Sequence, residues 1–93
     1  MLRIEEKKTG NKSTTLKLDG KIEALYVNEL RVICNKLMKN GRLTLDLEGV
    51  SYIDEESVDM FAMLANKKVK IINCSPFISL LLIGMNARQD SKT

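Results

Sequence analysis

The sequence predicts an α/β domain: a mixed four-stranded sheet that opens with an N-terminal antiparallel hairpin and continues with parallel strands, its helices mainly on one face. Three observations predict it. Apolar residues alternate at period two in some segments and recur at helical spacing in others. The segments follow one another as strand, strand, helix, strand, helix, strand, helix. Their boundaries carry residues suited to turns or helix ends, among them Gly10, Gly20, Asn40-Gly41, Gly49 and Ser75-Pro76.

Leu2 and Ile4, then Leu16 and Leu18 with Lys17 and Asp19 in step, give two half-buried strands around the turn-like Thr9-Gly10-Asn11-Lys12, which together form the hairpin. After Gly20 the period changes. Val27, Leu30, Ile33, Cys34, Leu37 and Met38 fall at helical spacing, so a helix is expected from about Leu25 to about Lys39, ended by Asn40-Gly41. Leu43, Leu45 and Leu47 alternate with Thr44, Asp46 and Glu48, a strand with one dry and one polar face that Gly49 is expected to end.

Val50-Ser51-Tyr52-Ile53 leads to Asp54, where a second helix starts, with an apolar stripe of Val58, Phe61, Ala62, Leu64 and Ala65. Asn66-Lys67-Lys68 closes it, and Val69, Ile71 and Ile72 form a short buried strand. Ser75-Pro76 joins a cap donor to a first-turn proline and opens a third helix carrying Phe77, Ile78, Leu81 and Leu82, expected to stop near Gly84. A single domain over 1–83 with a flexible tail over 84–93 is the expected organisation. Helical crossovers make the later strands parallel, and the polar alternate positions of 42–48 leave the second face of the sheet lightly covered.

Composition narrows the function. The 93 residues carry 15 Lys and Arg against 12 Asp and Glu, a net charge of +3, as in an ordinary soluble domain. Aromatic residues make up only 4%, too few to stack on successive bases, so nucleic acid is not an expected partner. The chain has no histidine. That removes the usual zinc and haem ligand, and the base that activates most serine and cysteine nucleophiles, so neither an enzyme nor a bound cofactor is expected. Cys34 and Cys74 lie far apart among apolar neighbours and are expected as reduced core thiols, with Cys74 alone approaching a helix start that lowers a thiol pKa. The acidic opening Met1-Leu2-Arg3-Ile4-Glu5-Glu6 and the short apolar run Leu80 to Ile83 predict a cytoplasmic protein without membrane insertion.

The most informative stretch is Leu43-Thr44-Leu45-Asp46-Leu47-Glu48-Gly49-Val50-Ser51-Tyr52-Ile53-Asp54. It resembles the STAS family, named for sulfate transporters and anti-sigma factor antagonists, in which a strand reading roughly apolar-Asp-apolar-Ser-Gly-Val runs through an aromatic-apolar-Asp step into a helix. Leu16-Lys17-Leu18-Asp19-Gly20-Lys21-Ile22 is similar to the family's opening strand, and Val69-Lys70-Ile71 with the helix after it also fits. The resemblance covers roughly residues 2 to 83. It implies a non-catalytic interaction module of bacterial signalling that docks on an anti-sigma factor or a serine kinase-like protein, as a monomer or weak dimer.

In many members of that family the loop reads Asp, Ser, Ser or Thr, Gly, and the hydroxyl residue before the glycine is phosphorylated. Here Asp54 keeps the acid, Glu55 follows, Glu56 occupies the phosphoacceptor-equivalent position and Ser57 stands where the glycine would be. A built-in carboxylate at Glu56 supplies one charge where a phosphate would supply nearly two; Ser57 is the alternative acceptor, about 100° further round the helix. The plainer reading is that Asp54, Glu55 and Glu56 cap the helix and complement its dipole. The expected docking loop comprises Asp54, Glu55, Glu56 and Ser57, continued along a helix ridge by Met60, Met63 and Lys67, the two methionines lying off the apolar stripe.

Other features have competing readings. Asp46 is expected to hydrogen-bond the following turn or to pair with a lysine. Lys67, Lys68 and Lys70, with Lys7 and Lys8 in reach, make either a solvated basic turn or an anion-attracting cluster. Neighbouring helical acids diverge, so Asp54, Glu55, Glu56 and Asp59 are not expected to bind metal. A small-ligand carrier of a lipid or nucleotide is the alternative function, opposed by the scarcity of aromatic residues and of phosphate-binding glycines.

Overall fold

A computed structural model describes residues 1–82. The expected helix end near Gly84, the domain boundary at 83 and the tail over 84–93 lie outside the described residues. Strands β1 (Leu2–Gly10) and β2 (Ser13–Ile22) are followed by a 3-10 turn (Ala24–Tyr26), helix α1 (Val27–Lys39), strand β3 (Arg42–Ile53), helix α2 (Glu55–Asn66) and strand β4 (Lys70–Ile72). Residues 76–82 form helix α3.

The sheet runs in the order β1-β2-β3-β4, with β1 antiparallel to β2 and the remaining pairs parallel. Because the order advances in one direction, two crossovers of the usual right hand lay α1 and α2 on the same face. The side chains agree: Leu16, Leu18 and Ile22 of β2 and Leu43, Leu45 and Leu47 of β3 are buried in one cluster with Leu30, Cys34 and Leu37 of α1, Val58, Phe61 and Leu64 of α2, and Ile78 of α3. The opposite face carries rows of polar partners, such as Glu5, Lys17 and Asp46 aligned across three strands with alternating sign.

Several boundaries differ from the sequence expectation. The hairpin turn is only Asn11-Lys12, because β1 extends to Gly10 with a register shift between Lys8 and Gly10. The first helix opens with a 3-10 turn and becomes α-helical at Val27, leaving Leu25 exposed. Ala65, expected on the apolar stripe of α2, is exposed near the helix end.

Gly49 does not end β3. The register with β2 shifts between Lys17 and Asp19, and the strand then continues, pairing Val50 with Gly20, Tyr52 with Lys21 and Ile53 with Ile22. A Cβ at Gly49 would overlap the Asp19 side chain, so the glycine marks a close crossing within the strand. At the other end of the sheet Gly41, with φ of +150°, lets Arg42 N–H reach the Lys12 carbonyl at 2.7 Å and ties the start of β3 to the hairpin turn.

Candidate functional site

The site forms where β2 and β3 end side by side and α2 begins, at the carboxyl edge of the parallel strands, the edge at which open α/β sheets place binding sites. Asp54 is extended (φ −88°, ψ 173°) and is the N-cap of α2. One carboxylate oxygen, Oδ1, accepts the Ser57 N–H at 2.9 Å, and Oδ2 accepts the Ala24 N–H at 2.6 Å from the connection after β2. Its own N–H donates to the Ile22 carbonyl at 3.1 Å, and its carbonyl accepts the Val58 N–H at 3.0 Å. Asp54 therefore caps a helix and fastens the two strand ends together.

Desolvation raises the Asp54 carboxyl, but the hydrogen bonds from Ser57 and Ala24 outweigh that and hold it below its ordinary value of 3.8. The Ser57 residue is 0% exposed, and its Oγ is enclosed without a hydrogen-bond partner. Ser57, the alternative acceptor, is thus not presented at the surface in this conformation.

Glu55 and Glu56 occupy the first turn of α2 and face solvent, with Asp59 one turn on. The methionine ridge divides. Met63 is 46% exposed, but Met60 is 3% exposed and belongs to the core. The expected contact role of Met60 is therefore corrected: α2 buries Ser57, Val58, Met60, Phe61, Ala62 and Leu64, a wider arc than the stripe read from sequence. The solvent ridge runs through Glu56, Asp59 and Met63 to Lys67.

Beside the loop lies an open groove of about 300 Å³, walled by Tyr52, Ile53, Val58, Phe77 and Leu81 with Glu55 at its rim. Asp54 also borders it. Phe77 is 64% exposed, and Tyr52 and Leu80 are exposed as well. The sequence reading did not find this groove. The available signal was α3 itself, where Phe77, Ile78, Leu80, Leu81 and Leu82 are more apolar residues than one buried stripe of a helix holds.

Elsewhere, Asp46 accepts the Glu48 N–H and the Asn73 side-chain amide, each at 3.0 Å. These bonds, helped by nearby Lys17 and Lys7 and opposed by slight desolvation, hold its carboxyl below the ordinary value. Burial raises the Cys34 thiol to about 11 and raises Cys74 as well, the opposite of an activated cysteine. Lys7 and Lys70 lie in one row of the open sheet face with Thr15 and Thr44 between them, whereas Lys8, the next residue of β1, points to the other face. Among the described residues no group of three or more His, Cys, Asp or Glu is placed to hold a metal ion, and no helix is long and apolar enough to cross a membrane.

No protein-family model matches the chain, and a comparison with curated proteins found no match. Comparison with solved structures finds the anti-sigma factor antagonist SpoIIAA in its unphosphorylated form, with a TM-score of 0.69 over 90% of this chain and 81% of that one, at 15% sequence identity. The fold is STAS-like. The mixed sheet, the hairpin and the helices on one face are those expected from the order and periodicity of the segments, and Asp54 stands at the junction of β3 and α2.

Proposed function

We propose that this chain is a non-catalytic, cytoplasmic protein-interaction module of bacterial signalling, docking on an anti-sigma factor or a serine kinase-like partner. The docking surface is the exposed part of the loop, Ser51, Tyr52, Glu55 and Glu56, with the exposed ridge of α2 through Asp59 and Met63; Ser57, expected in this surface from the sequence, is buried beneath it and takes no part. The observation that carries this reading is the division of labour among the acids: Asp54 spends both carboxylate oxygens within the fold, and Glu55 and Glu56 stand in solvent on the rigid helix start it creates. Glu56 then acts as a fixed negative charge where related modules carry a reversible one, so the module does not need phosphorylation to present charge there. Likeness to an anti-sigma factor antagonist favours partners of that class.

The test measures affinity for the partner protein recovered with this chain from its host. Replacing Glu56 by lysine lowers affinity at least tenfold and leaves the melting temperature within about 2 °C, since the side chain is exposed and makes only dipole-scale contributions to the helix. Glu56→Gln gives an intermediate loss. Affinity unchanged in both variants removes Glu56 from the interface and ends the reading.

A further inference from the structure

The geometry points to the groove between the end of β3, the start of α2 and α3 as the seat for an amphipathic helix of the partner protein, one that presents lysine or arginine beside its apolar residues. This rests on the docking function proposed above and extends it from the acidic loop to a second surface of different chemistry.

Three observations select that occupant. The walls are apolar and exposed, with Phe77 at 64% and Tyr52 at 46%, and unlike the exposed Leu25 and Val32 these two side chains line one groove. The groove is an open trough, so an elongated side-chain ridge fits it better than an enveloped small molecule; its volume of about 300 Å³ is at the lower end of small-molecule sites. The charge along its α2 rim is acidic: Glu55 lines the rim and Glu56 and Asp59 follow on α2, while the exposed Lys21, register partner of Tyr52, is the basic residue on the β3 side. A helix pressing apolar side chains against Phe77 and Leu81 brings its flank to these carboxylates, which favours cations there and rejects acids.

The experiment places a photo-crosslinking amino acid, one at a time, at Phe77, Glu56 and Leu80 of the full chain in its native host, and identifies the crosslinked segment by mass spectrometry. Leu80 is exposed on α3 but does not line the groove, and serves as the control. Crosslinking from 77 but not 80 to a helix bearing Lys or Arg among apolar residues supports the inference, provided that Glu55→Lys lowers the yield at least fivefold. Crosslinking from 56 alone overturns the groove and leaves the docking function standing. A segment rich in acids, or a lipid or metabolite captured at 77, overturns it in favour of another occupant. No crosslink from 56 or 77 overturns both readings.

Discussion

Asp54 joins two structural tasks in one carboxylate. As the cap of α2 it satisfies an N–H that the helix leaves open, and through Ala24 it holds the β2 connection against the β3 end. Its depressed folded-state value gives the sign of its pH dependence. The ionised form stabilises the fold above the ordinary value of 3.8, and that contribution is lost as pH falls through and below it. Asp46 adds in the same direction. Cys34 acts at the other end: its thiol, raised from 9.0 to about 11 by burial, favours the fold below 9.0 and ceases to do so as pH climbs toward 11. With no histidine to titrate between, the urea midpoint should be flat between about pH 5 and 8 and fall on either side. Asp54→Asn keeps one capping oxygen but sets an amide NH2 against the Ala24 N–H, so it should lower the plateau by about 1 kcal/mol and flatten the acid limb, and Cys34→Ala should flatten the alkaline limb. Unaltered limbs in the two variants would show that these groups do not govern the profile.

At the scale of elements, α2 shows what was legible and what was not. The Asp54 start, the Val58, Phe61 and Leu64 stripe and the close at Lys67-Lys68 all follow from local chemistry and were readable. The burial of Met60 was not, because the buried arc of α2 spans about 200° of its circumference, more than one face requires. A lone helix does not reveal how many neighbours it will have; here the sheet lies on one side and α1 also approaches. For the same reason the path of β3 through Gly49 was hidden, since the close crossing belongs to Asp19 of another strand. The termination of α2 carries a cost that can be tested. Lys68 is left-handed, with φ of 69°, while its N–H bonds the Ala65 carbonyl at 3.1 Å and Val69 N–H returns to Leu64 at 3.1 Å. Glycine is the residue that takes this conformation without a Cβ penalty. Lys68→Gly should therefore raise stability by about 1 kcal/mol, an increase of roughly 4–8 °C in Tm for a domain of this size. A lowered Tm would mean that the lysine makes contacts that outweigh the backbone strain.

Across the whole molecule, the net charge of +3 conceals a separation of sign that follows from the topology. The parallel strands begin at Ser13, Arg42 and Lys70 and end at Ile22, Ile53 and Ile72. The starting edge gathers Lys12 and Arg42 with Lys36 and Lys39 at the end of α1 and Lys67 and Lys68 after α2; the finishing edge carries Glu29 in the first turn of α1 and Glu55 and Glu56 in that of α2, against Lys21 and the Met1 end beside it. Each helix has acids at its start or bases at its end, as its dipole favours, and because both helices run the same way these local preferences add to a molecular polarity. This polarity would draw a basic partner of the kind proposed above to the finishing edge and orient it before contact, despite the cationic total. The association rate with the partner should fall roughly tenfold between 50 and 500 mM salt, with the dissociation rate changing far less. Glu55→Lys combined with Glu56→Lys should slow association and flatten its salt dependence. Reversing Lys36 and Lys39 to glutamate, at the far edge, should weaken the orienting field while leaving dissociation unchanged. A dissociation rate that responds to the distant lysines, or an association rate indifferent to salt, would show that the polarity of the fold plays no part in recognition.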